Sequence, residues 1–101
     1  MKPFEIKVGG QTIPCRLTMA AMSDFKDRYN KEATEVSDAH EILGLIFFCA
    51  RAEAERRGGE LAMTERQFRN ALDPDEAAEC INAYNAAAAP EESKKKTPKK
   101  G

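Results

Sequence analysis

Ile42-Leu43-Gly44-Leu45-Ile46-Phe47-Phe48-Cys49-Ala50 is the longest apolar stretch of the chain, and as a helix it shows apolar side chains on nearly every side, interrupted only at Gly44. A helix that is apolar all round has to be buried all round. The stretch is about half as long as a membrane-spanning helix needs, so it reads as the interior of a globular protein. In a chain of 101 residues, covering such a helix takes most of the other elements. Two readings stay open. Either this helix is the spine of the fold, or one of its faces is buried in a partner, which would make Phe47 and Phe48 partner-binding residues.

Working outward, the pattern turns charged after Ala50 (Arg51, Glu53, Glu55, Arg56, Arg57), and Gly58-Gly59 stops the helix as a glycine C-terminal cap does. The two Glu nearly cancel the three Arg, which reads as a solvated helix face and not as a nucleic-acid patch. Upstream, Ser37 or Asp38 caps the helix and Asp38-x-x-Glu41 matches a capping box, giving a helix over about 39–57. His40, in its first turn, reads as an exposed or capping residue. Further toward the N-terminus, Phe4-Glu5-Ile6-Lys7-Val8 alternates apolar and polar. Gly9-Gly10 accepts a tight turn, and Ile13, Cys15 and Leu17 alternate on the return, predicting a hairpin over 4–17. Pro14 cannot donate a ladder hydrogen bond, so its strand lies at an edge or bulge. Thr18 caps a helix over about 19–30, where Met19, Met22, Phe25 and Tyr29 form one stripe, read as core or as an adaptable peptide-binding face. Toward the C-terminus, Thr64-x-x-Gln67 opens a helix over 65–72 with Phe68, Ala71 and Leu72 inward. Asp73-Pro74 opens another over 74–89, with Ala77, Ile81, Tyr84 and Ala88 as its stripe.

The fold class is therefore α+β, mainly α: an N-terminal β-hairpin and about four helices in a single domain over 1–90. Residues 91–101 hold no apolar side chain and read as a disordered Lys-rich tail. The tail carries five Lys against two Glu, while the preceding ninety residues are mildly acidic, a poor composition for specific nucleic-acid binding. The segment Met1-Lys2-Pro3-Phe4-Glu5 lacks the apolar core of a secretory signal. Cys15, Cys49 and Cys80 are irregularly spaced and His40 is the sole imidazole, so the expectation is no metal site, no cofactor, and three cysteines acting as small buried hydrophobes. Neither Gly-x-x-x-x-Gly-Lys, Gly-x-Gly-x-x-Gly nor His-Glu-x-x-His occurs, and the acids at Asp73 and Asp75 are explained by capping. No catalytic residue is assigned and the protein is expected not to be an enzyme. Surplus apolar surface points instead to binding, through Met19, Met22, Phe47 and Phe48.

The stretch Arg16-Leu17-Thr18-Met19-Ala20-Ala21-Met22-Ser23-Asp24-Phe25 resembles the helix start of tail assembly chaperones of long-tailed phages and prophages. A preceding hairpin like 4–17, a hydrophobic helix ending in charges like 43–57, a threonine-capped helix like Thr64-Glu65-Arg66-Gln67-Phe68 and an acidic break like Asp73-Pro74-Asp75 extend the resemblance to Tyr84. The Ala-rich end of the last helix and the Lys-rich tail depart from it. The resemblance implies a cytoplasmic chaperone of the host cell that self-associates, binds the tape measure protein and helps recruit tail tube subunits, with no membrane and no specific nucleic acid among its partners. In such genes ribosomes often change frame near the 3′ end, and the codons of Lys94-Lys95-Lys96 would suit a slippage site. The competing classes are a small nucleic-acid-associated regulatory protein using the basic tail, and a connector-type virion protein. The helix over 74–89 has no Lys or Arg, which argues against the first.

Because 91–101 contains no apolar residue, its deletion removes little burial energy. The truncated chain is expected to melt at the temperature of the full chain; a loss of several degrees in a thermal unfolding scan would give the tail a role in the fold.

Overall fold

Gly9 and Gly10 have φ of 58° and 80°, the left-handed pair that a two-residue hairpin turn requires. In the computed structural model, which describes residues 1–89, they join β1 (Phe4–Val8) to β2 (Gln11–Cys15) in an antiparallel two-stranded sheet. The register sets Ile6 opposite Ile13 and Glu5 opposite Pro14. Counting from the turn, hydrogen-bonded and non-bonded pairs alternate, so Pro14 falls at a non-bonded position where its missing N–H leaves no gap in the ladder. Ile6, Val8, Ile13 and Cys15 are buried on the inner face.

Four helices follow among the described residues: α1 (Met19–Tyr29), α2 (Ala39–Arg56), α3 (Glu65–Asn70) and α4 (Pro74–Ala88), with a single 3-10 turn at Ala33–Glu35 between α1 and α2. Side chains written into the sequence start each helix. Thr18 Oγ1 accepts from the Ala21 N–H (3.1 Å), Asp38 from Glu41 (2.9 Å), Thr64 from Gln67 (3.1 Å) and Asp73 from Glu76 (2.8 Å). The boxes of α3 and α4 are reciprocal. The expected box of α2 is not closed in this way: the Glu41 carboxylate accepts from the Ser37 N–H at 2.9 Å and from Lys31 at 2.8 Å. Helix stops are equally local. Asn30 turns left-handed (φ 57°) after α1. After α2, Gly58 and Gly59 donate to Glu55 and Ala54 at 3.0 and 2.9 Å, the paired bonds of a glycine stop.

Every residue from 44 to 50 of α2 is buried. α1, β2, α3 and α4 all pack against α2, while β1 lies against α4. The central helix is thus enclosed within the single chain, and Phe47 and Phe48, 2% and 5% exposed, are core residues. Arg16, just past β2, ties on through its N–H, which donates to the Cys49 carbonyl at 3.3 Å.

Several expectations are corrected. Met19 does not join the core: it is 75% exposed, whereas Ala21 and Phe25 are fully buried. At about 100° per residue, Met19 stands some 120° around α1 from Phe25, off the packed face. On α4 the buried set is Cys80, Tyr84 and Ala87, so Ala88 lies outside it. Ala71 is exposed because α3 ends at Asn70. The charged end of α2 is not wholly solvated, since Glu53 is 1% exposed. The expected tail over 91–101 and the Pro90 helix stop lie outside the described residues.

Where α1 crosses α2, the Tyr29 ring lies directly over Gly44. A Cβ at Gly44 would sit 2.6 Å from Tyr29 Cε2, and the ring is held by stacking on Phe25 at 4.8 Å between centroids. Gly44→Ala gains about 1 kcal/mol of helix propensity but forces overpacking that costs about 1–3 kcal/mol. A net loss of about 1 kcal/mol is expected in urea unfolding, and no such loss when Gly44→Ala is made in a Tyr29→Ala background, where the ring it strikes is absent. A stabilised Gly44→Ala variant would show that the ring swings away freely.

Candidate functional site

The end of α4 and the start of the chain are joined by a hydrogen bond from the Lys2 N–H to the Ala87 carbonyl (3.3 Å). Beside this junction opens an apolar groove of about 550 Å³. Leu17 and Met22 form one wall, Tyr84 and the 87–89 alanines another, and Ala33, Thr34, Met1 and Lys2 complete the lining. The Phe4 ring meets Tyr84 edge-on at 5.9 Å, setting the angle at which the phenol stands beneath the groove. Met1 and Met19 are the large apolar side chains left well exposed, at 52% and 75%.

Of the four residues singled out in sequence, the structure brings Met22 into this groove and leaves Met19 one helical turn away on the surface. Phe47 and Phe48 are not part of it; enclosed by the other elements, they present no ring to a partner of the folded chain. Leu17, Tyr84 and the 87–89 alanines were missed. They converge from separate segments, and an Ala run buries so little that periodicity gives it no weight.

The chemistry available elsewhere is structural. Cys15, Cys49 and Cys80 are free thiols at 1%, 0% and 1% exposure. Burial pushes the Cys49 thiol up to about 12 and also raises Cys15 and Cys80, which makes all three poor nucleophiles. Among the described residues, no group of three or more His, Cys, Asp or Glu is placed to hold a metal ion, and no helix is long and apolar enough to cross a membrane.

Glu53 is the one buried charged side chain of the described core. Arg56 and Arg57 donate to it from the last turn at 2.9 and 2.7 Å, and Arg16 Nε stands 3.4 Å away without hydrogen-bond geometry. Three guanidiniums therefore clasp one carboxylate where β2 leads past the end of α2. Its spacing betrayed it: Glu53 follows Cys49 by four, on the buried face, with arginines three and four residues on. The hydrogen bonds from Arg56 and Arg57 hold its carboxyl at about 2 against an ordinary 4.5.

A carboxyl with a depressed pKa contributes stability that is complete above its unfolded value and is lost as pH falls through its folded one. The Glu53 contribution is therefore full above about pH 4.5 and disappears toward about pH 2. Glu53→Gln is expected to lower the urea midpoint at neutral pH and to flatten its fall over that acid window. An acid limb as steep as that of the unaltered chain would mean the clasp contributes nothing. The arginines are half exposed, so solvent screening keeps the effect modest.

Comparison of the chain with models of known protein families, with curated proteins and with solved structures found no match.

Proposed function

We propose that this protein is a non-enzymatic binding protein whose apolar groove takes a helix of its partner, and specifically that it serves as a tail assembly chaperone of a long-tailed phage or prophage. The groove beside Met22 is the observation that carries the binding part of this reading. An amphipathic helix buries its apolar face in such a groove through side chains at steps of three and four, and methionine adapts its shape to the ligand. Met19, one turn along α1 and exposed, extends the contact beyond the groove. The finer identity rests on the resemblance over residues 16–25 and on the order of elements: hairpin, capped helix, buried helix ending in charges, threonine-capped short helix, acidic break. In that role the partner is the tape measure protein, a long helical chain whose apolar faces need cover until tube subunits assemble around it. Several copies would line one such chain in the host cytoplasm.

The test is co-expression with the tape measure protein encoded in the same genome, immediately downstream if the reading holds. Co-elution of the two proteins is expected. Replacing Met19 by Glu and Met22 by Ala together is expected to weaken binding by at least about tenfold, the scale of a central interface residue, with the helical circular dichroism unchanged. Separate elution of the unaltered pair would refute the chaperone assignment.

A further inference from the structure

Away from the apolar groove, one recess of about 340 Å³ is lined by Arg28, His40, Glu65, Arg66, Arg69 and Asn70. These residues come from the end of α1, the first turn of α2, and α3. Three guanidiniums face a single carboxylate, and that carboxylate is fully engaged. Glu65 Oε1 accepts from Arg28 Nε at 3.1 Å, and Oε2 accepts from the Tyr29 hydroxyl and from two nitrogens of Arg69, Nη2 at 3.1 Å and Nε at 3.2 Å. Arg69 also donates to the Tyr29 hydroxyl and to the His40 carbonyl, both at 2.8 Å, so it ties the walls of the recess together.

Three guanidiniums against one carboxylate leave the recess two positive charges in excess. Among the described residues Arg28 uses only Nε, with its guanidinium carbon 5.0 Å from the centre of the Tyr29 ring, which leaves its terminal amino groups unspent there. Arg66 makes no hydrogen bond or ion pair among the described residues. His40, exposed and edge-on to Tyr29 at 5.6 Å, adds an imidazole to the same rim. We propose that this recess is a binding site for a tetrahedral oxyanion of the phosphate class, either free phosphate or a phosphate monoester, held by Arg28 and Arg66.

Planar guanidinium forks pair two by two with oxygens. One carboxylate occupies one fork, whereas a tetrahedral dianion presents enough oxygens for two forks and for the donors of His40 and Asn70. The site is a single recess, and the neighbouring lysines at the end of α1 are already paired, Lys26 with Glu32 and Lys31 with Glu41, so it does not continue into the basic track that a nucleic-acid backbone needs. The site is independent of the chaperone reading, and either stands if the other fails.

The experiment is a nitrogen-15 chemical-shift titration of the full chain with phosphate and with phenyl phosphate, against acetate and chloride at matched ionic strength. Saturable shifts confined to the residues lining the recess are expected with the phosphates. Tighter binding of phenyl phosphate would identify a monoester as the ligand, and tighter binding of phosphate the free ion. Arg66→Ala is expected to weaken the response about tenfold, the scale of one charge-assisted hydrogen-bonding group, without moving the melting temperature, because Arg66 is exposed and has no polar partner among the described residues. The proposal is overturned by an equal response to acetate, by shifts scattered over the basic surface, by no saturable response, or by an Arg66→Ala variant that binds as well as the unaltered chain.

Discussion

Enclosing α2 is the constraint that the other elements answer. None of them is built to stand alone. A two-stranded hairpin is marginal in water, and helices as short as α1 and α3, of 11 and 6 residues, fall below the length at which isolated helices persist. Each is held by the apolar surface it covers on α2 or, for β1, on α4. Because α2 in turn has no polar face along residues 44–50, it gains nothing from folding before they arrive. Mutual dependence of this kind favours a single cooperative transition.

The parts of the fold that were legible in advance are those whose cause is local. Alternation around Gly9-Gly10 announced the hairpin, and Thr18, Asp38, Thr64 and Asp73 announced the helix starts, because a cap is a contact between residues three apart. The all-round apolar run at 42–50 announced the spine, though only the structure could decide between spine and interface for Phe47 and Phe48. What escaped depends on which side of a helix meets which neighbour. Met19 shares a step with Met22 but not a direction with Phe25. Glu53 sits in a charged run, yet the chain after β2 passes over it. The groove draws on four separate segments of the sequence, and no spacing rule connects Leu17 to Ala87.

α1 contributes to both candidate surfaces. Met22 lines the apolar groove, while Arg28 and Tyr29 belong to the polar recess at the helix's other end. The rotation of α1 about its own axis is set between them, by Phe25 in the core and by the phenol seated over Gly44. A small turn of this helix would therefore displace both surfaces together. Such coupling through one packed element is what gives a short chain two defined faces without a second domain.

The hairpin also limits how copies of this chain can meet. On the outward edge of β2 the backbone groups of Thr12, Pro14 and Arg16 alternate away from β1. Proline has no N–H, and that of Arg16 is given to the Cys49 carbonyl, which leaves Thr12 as the donor of that edge among the described residues. The other edge is occupied by α4, whose Cys80 thiol reaches the Lys7 carbonyl at 4.0 Å. A neighbouring strand would find a single donor on the β2 edge, which disfavours the merging of copies into a common sheet of the kind that locks chains irreversibly. A contact between copies would then rest on side chains, and what side chains join can come apart again when another surface takes their place.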